Sequence, residues 1–208
     1  MNLAWIDPLV RWLGGVFAYA TLAVVLVGIW RGTRRAVGAS AGKYAGWLRS
    51  LPFYLLAALL FLGIGMLLWR PLPFEFASPV RSIVLTAGAL LYFPGLALVL
   101  WGRVALGKMY FVSTSQAAQL CAGHELVTRG PFAIVRHPMY LGLILAALGG
   151  LLLYQTWTML VFSIFAPFVL RRARREEKLL AAAFGKQWQN YCDRVPAFVP
   201  RLWRKNAS

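Results

Sequence analysis

Negative charge is what this chain has least of. Six Asp and Glu stand against 22 Lys and Arg in 208 residues, a formal net charge of +16. Charge of either sign is scarce: 13% of residues carry it, against roughly 25% in an ordinary soluble domain. With 60% hydrophobic residues, that excludes a disordered chain. Two cysteines, Cys121 and Cys192, give no disulfide framework, and two histidines give no zinc-finger spacing, so no metal site is expected. No Gly-x-Gly-x-x-Gly follows a strand-like run, and no room remains for a parallel sheet, so a Rossmann-type nucleotide domain is not expected. Solenoid repeats and low-complexity linkers are also lacking. In a soluble protein such a basic excess would suggest nucleic acid. Here the charges sit between long apolar blocks, where membrane topology accounts for them, and no nucleic-acid partner is expected.

The apolar blocks are the main positive signal, and they read as an all-α polytopic membrane protein. Trp12 to Trp30 runs 19 residues without a charge, just enough to cross a hydrocarbon core of roughly 30 Å. A Trp at each end suits the interface. The apolar run continues past Ala18-Tyr19-Ala20 and no basic cluster precedes it, so a retained helix is expected rather than a cleaved signal. Leu51 to Trp69 is the second span, opened by Pro52. Ser82 to Trp101 is the third, with a kink expected at Pro94. Met139 to Leu170 is 32 residues without a charge, too long for one helix and slightly short for two. Gly149-Gly150 and Tyr154-Gln155-Thr156 both offer turns.

Basic charge decides in favour of a tight hairpin and about five spans. The loop 31–50, the loop 102–138 and the tail 171–208 then share one side, with five, four and ten Lys and Arg, and only Arg11, Arg70 and Arg81 lie on the other. The positive-inside rule makes the first side cytoplasmic, with the N-terminus outside and the C-terminus inside. Residues 1–110 are expected to hold helices 1–3 and the basic loop 31–50, a solvated segment near anionic headgroups. Residues 111–208 are expected to hold the chemistry.

Two segments in that second half are too patterned to be plain connectors. In the segment 124–142, Pro138 pushes His137 out of the helical region and suits the first position of the next helix. Arg136 and His137 would then stand beside unsatisfied N–H groups and a positive helix end, a ready anion site. Gly130-Pro131 marks a turn, and Gly142 permits close approach of a ligand or a helix. In the segment 171–196, Leu180, Phe184, Trp188 and Tyr191 fall on one stripe of a helix over 171–195, expected to lie against the membrane. Pro196 and Pro200 end it. Arg172 precedes Glu176 by one turn, so the two can pair.

Together the segments resemble the isoprenylcysteine carboxyl methyltransferases and their relatives, the phospholipid methyltransferases, with the short, prokaryotic-type members the better fit. The residues that carry the resemblance are His124, Leu126, Val127, Gly130, Arg136, His137, Pro138, Tyr140 and Gly142, then Glu176, Glu177, Phe184, Gly185, Trp188, Tyr191, Arg194, Val195 and Pro196. The resemblance covers roughly residues 120–200. Trp188 stands where Tyr is more usual, and the run Arg171 to Arg175 is denser than the pattern expects.

The resemblance implies a membrane-embedded methyltransferase that uses S-adenosylmethionine at the cytoplasmic face and transfers a methyl group to a lipidic, amphipathic or prenylated substrate that enters from the bilayer. It implies cofactor contacts from His124, Leu126, Val127, Gly130, Arg136, His137, Pro138, Tyr140, Gly142 and Glu177. Arg172 and Glu176 would sit nearest the acceptor, and Trp188, Tyr191 and Arg194 on the substrate side. A prokaryotic inner membrane is the expected location. Phosphatidylethanolamine-type N-methylation is the alternative within the class. Outside it stand an NADPH-dependent sterol-reductase-like enzyme, because such reductases resemble the same region, and a non-catalytic membrane scaffold.

Overall fold

The structure, a computed structural model, describes residues 6–33, 51–74, 76–109 and 125–200. Most of the basic loop 31–50 and, with it, His124 and Cys121 lie outside the described residues. The described residues form helices α1 (Ile6–Thr33), α2 (Leu51–Leu67), α3 (Ser78–Leu106), α4 (Pro138–Tyr154), α5 (Trp157–Phe165), α6 (Val169–Phe184) and α7 (Lys186–Arg194). Short 3-10 turns occupy Gly107–Met109, Gly130–Ala133 and Ala166–Phe168. Among the described residues there is no strand, only an isolated antiparallel bridge between Pro71 and Thr156. The all-α expectation holds.

Among the described residues two helices are long and apolar enough to cross a membrane, over Ile6–Gly28 in α1 and Pro79–Leu106 in α3. Pro94 lies inside α3. The apolar α4 is shorter, at 17 residues. Many large apolar side chains on α1–α3 face outward, among them Trp12, Tyr19, Leu59, Ile83 and Leu90. That surface suits lipid rather than water.

The helix pair α3–α4 is the spine, and glycine sets its spacing. Gly142 faces Gly95 and Gly149 faces Gly88, with the two glycines of each antiparallel helix seven residues apart. A Cβ at Gly142 would stand 2.5 Å from the Gly95 carbonyl oxygen, and one at Gly95 would stand 2.6 Å from the Ala146 nitrogen. Small residues let two backbones meet this closely, which is how membrane helices gain packing without a hydrophobic drive. Gly142 thus serves helix contact. Gly149-Gly150, one of the two candidate turns, lies inside α4 and is buried against Tyr92. The chain turns instead at Gln155, in the left-handed region at φ 51.

The far end of the bundle is tied by polar contacts. Leu72 N–H donates to the Gln155 carbonyl at 2.8 Å, and Trp157 N–H donates to the Arg70 carbonyl at 3.1 Å. Asp7 pairs with both Arg11 and Arg81, and the Tyr154 hydroxyl donates to the Arg11 carbonyl at 2.8 Å. So Arg11, Arg70 and Arg81, the three basic residues assigned to one side by charge counting, gather at one end. The start of α4 and the tail lie at the other.

The tail departs from the expected single helix over 171–195. Gly185, at φ 49, ends α6 and starts α7 in a new direction, a backbone state that glycine reaches without the Cβ penalty. The stripe also lies elsewhere than expected. Trp188, Tyr191 and Val195 form a small core with Leu126, Leu180, Phe184 and Cys192. The apolar face closes on the chain itself, because the break folds α7 back over residue 126.

The glycine spine yields a test. Gly149→Val would drive a side chain into the Gly88 and Tyr92 backbone, which cannot give way as a flexible side chain can. Overpacking of this kind costs about 1–3 kcal/mol, read as a lowered thermal midpoint in detergent. Gly15→Ala, with nothing within 4 Å of its new Cβ, should leave the midpoint unchanged or slightly raised.

Candidate functional site

Pro138 opens α4 and holds His137 outside the helix, at φ −123 and ψ 58. This leaves Arg136 and His137 outside the helix, with their N–H groups free of the helix ladder. The tail takes up both donors: Arg136 N–H reaches the Pro196 carbonyl at 2.8 Å and His137 N–H the Ala197 carbonyl at 3.1 Å. The expected anion site at the helix start is therefore corrected in part, because these two amides are bonded to the chain after α7. The Arg136 guanidinium adds a bond to the Val195 carbonyl at 2.7 Å. The Tyr191 hydroxyl donates to the Phe132 carbonyl at 2.6 Å and ties α7 to the 3-10 turn. Tail and segment 130–140 form one unit.

Inside that unit lie two carboxylates, side by side in α6. Glu177 Oε1 accepts from Arg136 Nη2 at 2.9 Å, from Arg136 Nε at 3.0 Å and from His137 Nε2 at 2.9 Å. Glu176 Oε1 accepts from the Tyr140 hydroxyl at 2.6 Å and from Arg172 Nε at 3.1 Å. The pairing of Arg172 with Glu176, read from helical spacing, is present. The ring of His137 stacks between Tyr140 at 5.8 Å and Phe198 at 5.1 Å. Arg136 lies 5.8 Å from the ring centre of Trp188.

Burial makes these contacts matter. His137 is 6% exposed. A carboxylate has no proton to give, so Nε2 must carry one and Nδ1 is left as an acceptor when the ring is neutral. Burial pulls the His137 pKa below its ordinary 6.5, outweighing the upward pull of Glu177 and Glu176. Burial raises Glu177, but its bonds to His137 and Arg136 outweigh that and hold its carboxyl below the usual 4.5. Burial also pushes the Cys192 thiol up.

The structure thus brings together Arg136, His137, Tyr140, Arg172, Glu176 and Glu177. Leu126 packs in the tail core and Val127 is half-buried beside it. Gly130, at φ 63, starts the 3-10 turn against Trp101 and Ala105. Pro138 and Gly142 are buried in the α3–α4 contact. Trp188 and Tyr191 are buried in the tail core, whereas Arg194 is exposed and its Nε donates to the Asn190 carbonyl at 3.1 Å, away from the carboxylates. Sequence reasoning missed Phe198 and the acceptor role of residues 195–197. For the carbonyls the signal was available: a helix end followed by Val195-Pro196, where proline keeps the chain out of a helix and leaves carbonyls unpaired.

The two pKa shifts fix a pH dependence. The unfolded chain takes up a proton at His137 near pH 6.5, before the folded one does. Below that pH the unfolded state binds more protons and stability falls. Glu177 adds its own loss further down, where pH falls from about 4.5 through its depressed folded value. The thermal midpoint of the protein in detergent should fall between pH 7 and pH 5.5, and His137→Gln should flatten that fall.

Residues 83–187 match the phospholipid methyltransferase family. A protein-S-isoprenylcysteine O-methyltransferase of Schizosaccharomyces pombe is 37% identical over 81 residues, 38% of this chain and 34% of the relative. A methanethiol S-methyltransferase of Pseudomonas deceptionensis is 29% identical over 168 residues, 74% of this chain and 61% of the relative. A Delta(14)-sterol reductase of Mus musculus is 34% identical over 77 residues, 36% of this chain and 18% of the relative. The chain spans less than two thirds of the length of each. The family match takes in about half of this chain, from within α3 to the second residue of α7, and with it both carboxylates and their partners from the 136–140 segment: the chain belongs to the phospholipid methyltransferase family.

Proposed function

We propose that the chain is a membrane methyltransferase dependent on S-adenosylmethionine, transferring a methyl group to a lipidic or amphipathic acceptor in the manner of the isoprenylcysteine carboxyl methyltransferases. The observation that supports it is the pair of adjacent carboxylates on α6, each held by a cation and a ring from the segment that precedes or opens α4. S-adenosylmethionine carries an ammonium, a sulfonium, a carboxylate and a ribose diol. Two carboxylates, two guanidiniums, an imidazole and flanking aromatic rings match that mixture of charges. When bound, it supplies a methyl group on a positively charged sulfur.

In this reading Arg136 and His137 hold the cofactor's carboxylate end, and Glu177 accepts from its ammonium or ribose hydroxyls. Leu126 and Val127 line the adenosine side, Gly130 and Tyr140 shape the cradle, and Pro138 and Gly142 fix the direction of α4 behind it. Arg172 and Glu176 stand nearest the acceptor. An acceptor carboxylate is already ionised at pH 7, so no base is required. What is required is a cation to aim it, and Arg172 supplies it in this reading. Glu176 in turn orients the guanidinium. Trp188 and Tyr191, packed in the tail core, back the substrate side from behind, and Arg194 stands outside it. Alignment and exclusion of water do the remaining work.

The membrane placement belongs to the same proposal. The helices α1 to α5 are read as five spans, with the N-terminus outside, the C-terminus cytoplasmic and a prokaryotic inner membrane as the setting. Helices 1–3 form the front half, and residues 111–208 carry the site. A second reading of the acceptor, a thiol, is supported by the methanethiol S-methyltransferase relative, whose alignment covers 74% of this chain.

The test is thermal stabilisation in detergent by S-adenosylmethionine, S-adenosylhomocysteine and NADPH. Ligand at a hundred times its dissociation constant adds about 2.7 kcal/mol of apparent stability. The first two should raise the midpoint and NADPH should not, and the reverse would favour the reductase alternative. His137→Ala and Glu177→Ala should each abolish binding in calorimetric titration. Normal binding by both would overturn the placement. A prenylcysteine analogue, a small thiol and phosphatidylethanolamine, assayed side by side, identify the acceptor.

A further inference from the structure

The helix that carries the two carboxylates carries four cations on its opposite face. Arg171, Arg174, Arg175 and Lys178 are spaced i, i+3, i+4 and i+7, so they share one stripe of α6. All four are exposed. Among the described residues none of them has an ion-pair partner. Arg172, by contrast, is turned to Glu176.

The stripe begins where an apolar surface stops. Ile164, Phe165 and Phe168 are each more than half exposed. By spacing, Ile164 and Phe168 continue the line of Arg171, Arg175 and Lys178. The Arg171 guanidinium lies over the Phe168 ring at 4.8 Å. Arg171 follows Phe168 by three residues, about 4–5 Å along a helix. The outer face of α5–α6 thus changes from bare aromatic rings to bare cations within one turn. A lipid–water boundary has this profile: rings at the edge of the hydrocarbon, guanidiniums among the phosphates.

We infer that the outer stripe of α6 binds the headgroups of anionic lipids in the adjacent leaflet, and so holds the carboxylate-bearing face of the helix toward the site. Positive charge alone would satisfy topology wherever it lay in the tail. What topology does not require is that four cations share one stripe, leave the acids of the same helix to the other side, and begin at the last exposed ring. Each basic residue near an anionic surface is worth roughly a fivefold preference.

The experiment uses the full chain reconstituted in phosphatidylcholine bilayers. Spin-labelled phosphatidylglycerol and spin-labelled phosphatidylcholine are compared for the fraction of motionally restricted label. The wild-type protein should prefer phosphatidylglycerol several-fold, and the preference should shrink at high salt. The joint variant R171Q/R174Q/R175Q/K178Q should lose most of it. The charge-preserving variant R171K/R174K/R175K should retain it, which separates charge from any effect on folding. An unchanged preference in the Gln variant, or none in the wild type, would overturn the inference. The readout requires neither cofactor nor acceptor, so it stands apart from the proposed methyl transfer.

Discussion

The structure turns on one carboxylate reaching back along the chain. Glu177 takes hydrogen bonds from Arg136 and His137, 41 and 40 residues earlier. That contact joins two segments that share no element of secondary structure. Leaving either Arg136 or His137 without its partner would strand a polar group with little access to water, at about 1–3 kcal/mol. The neighbouring Glu176 repeats the arrangement one position earlier, with Tyr140 and Arg172. The tail's carbonyls at 195, 196 and 197 close the unit from behind.

The spine and the site have different physics. Between α3 and α4 the contact is backbone against backbone, permitted by Gly88, Gly95, Gly142 and Gly149. It is apolar and rigid, and it fixes the direction of the α4 start. The site at that start is polar, and part of its charge is shared with solvent. Rigid placement of Pro138 lets the Arg136 guanidinium and the His137 imidazole be presented at a fixed angle to α6. Opposite this end, Asp7 and its two arginines and the Leu72–Gln155 bond tie the bundle shut.

Much of this was legible in the residues, for identifiable reasons. Long uncharged blocks announced helices. Arg136-His137-Pro138 announced a non-helical approach to α4, because proline restricts its predecessor. The (i, i+4) spacing of Arg172 and Glu176 announced their pairing. What one sequence could not show was partner choice across distance. Nothing local says that Tyr140 selects Glu176 while His137 selects Glu177. The break at Gly185 was hidden because the apolar spacing through Leu180, Phe184, Trp188 and Tyr191 suits one helix as well as two. Gly149-Gly150 misled in the opposite sense, because glycine that suits a turn also suits close helix contact. Phe198 was missed because a lone aromatic after a helix end carries no periodic signal.

The central claim is that the 136–140 segment and the tail from Arg172 to Phe198 form a single ligand-binding unit. Hydrogen–deuterium exchange of the full chain in detergent, with and without saturating S-adenosylhomocysteine, tests it most directly. The account expects slowed exchange in both stretches together and little change at the opposite end, around Asp7, Arg81 and Gln155. Protection at that opposite end, or in one stretch without the other, would contradict it.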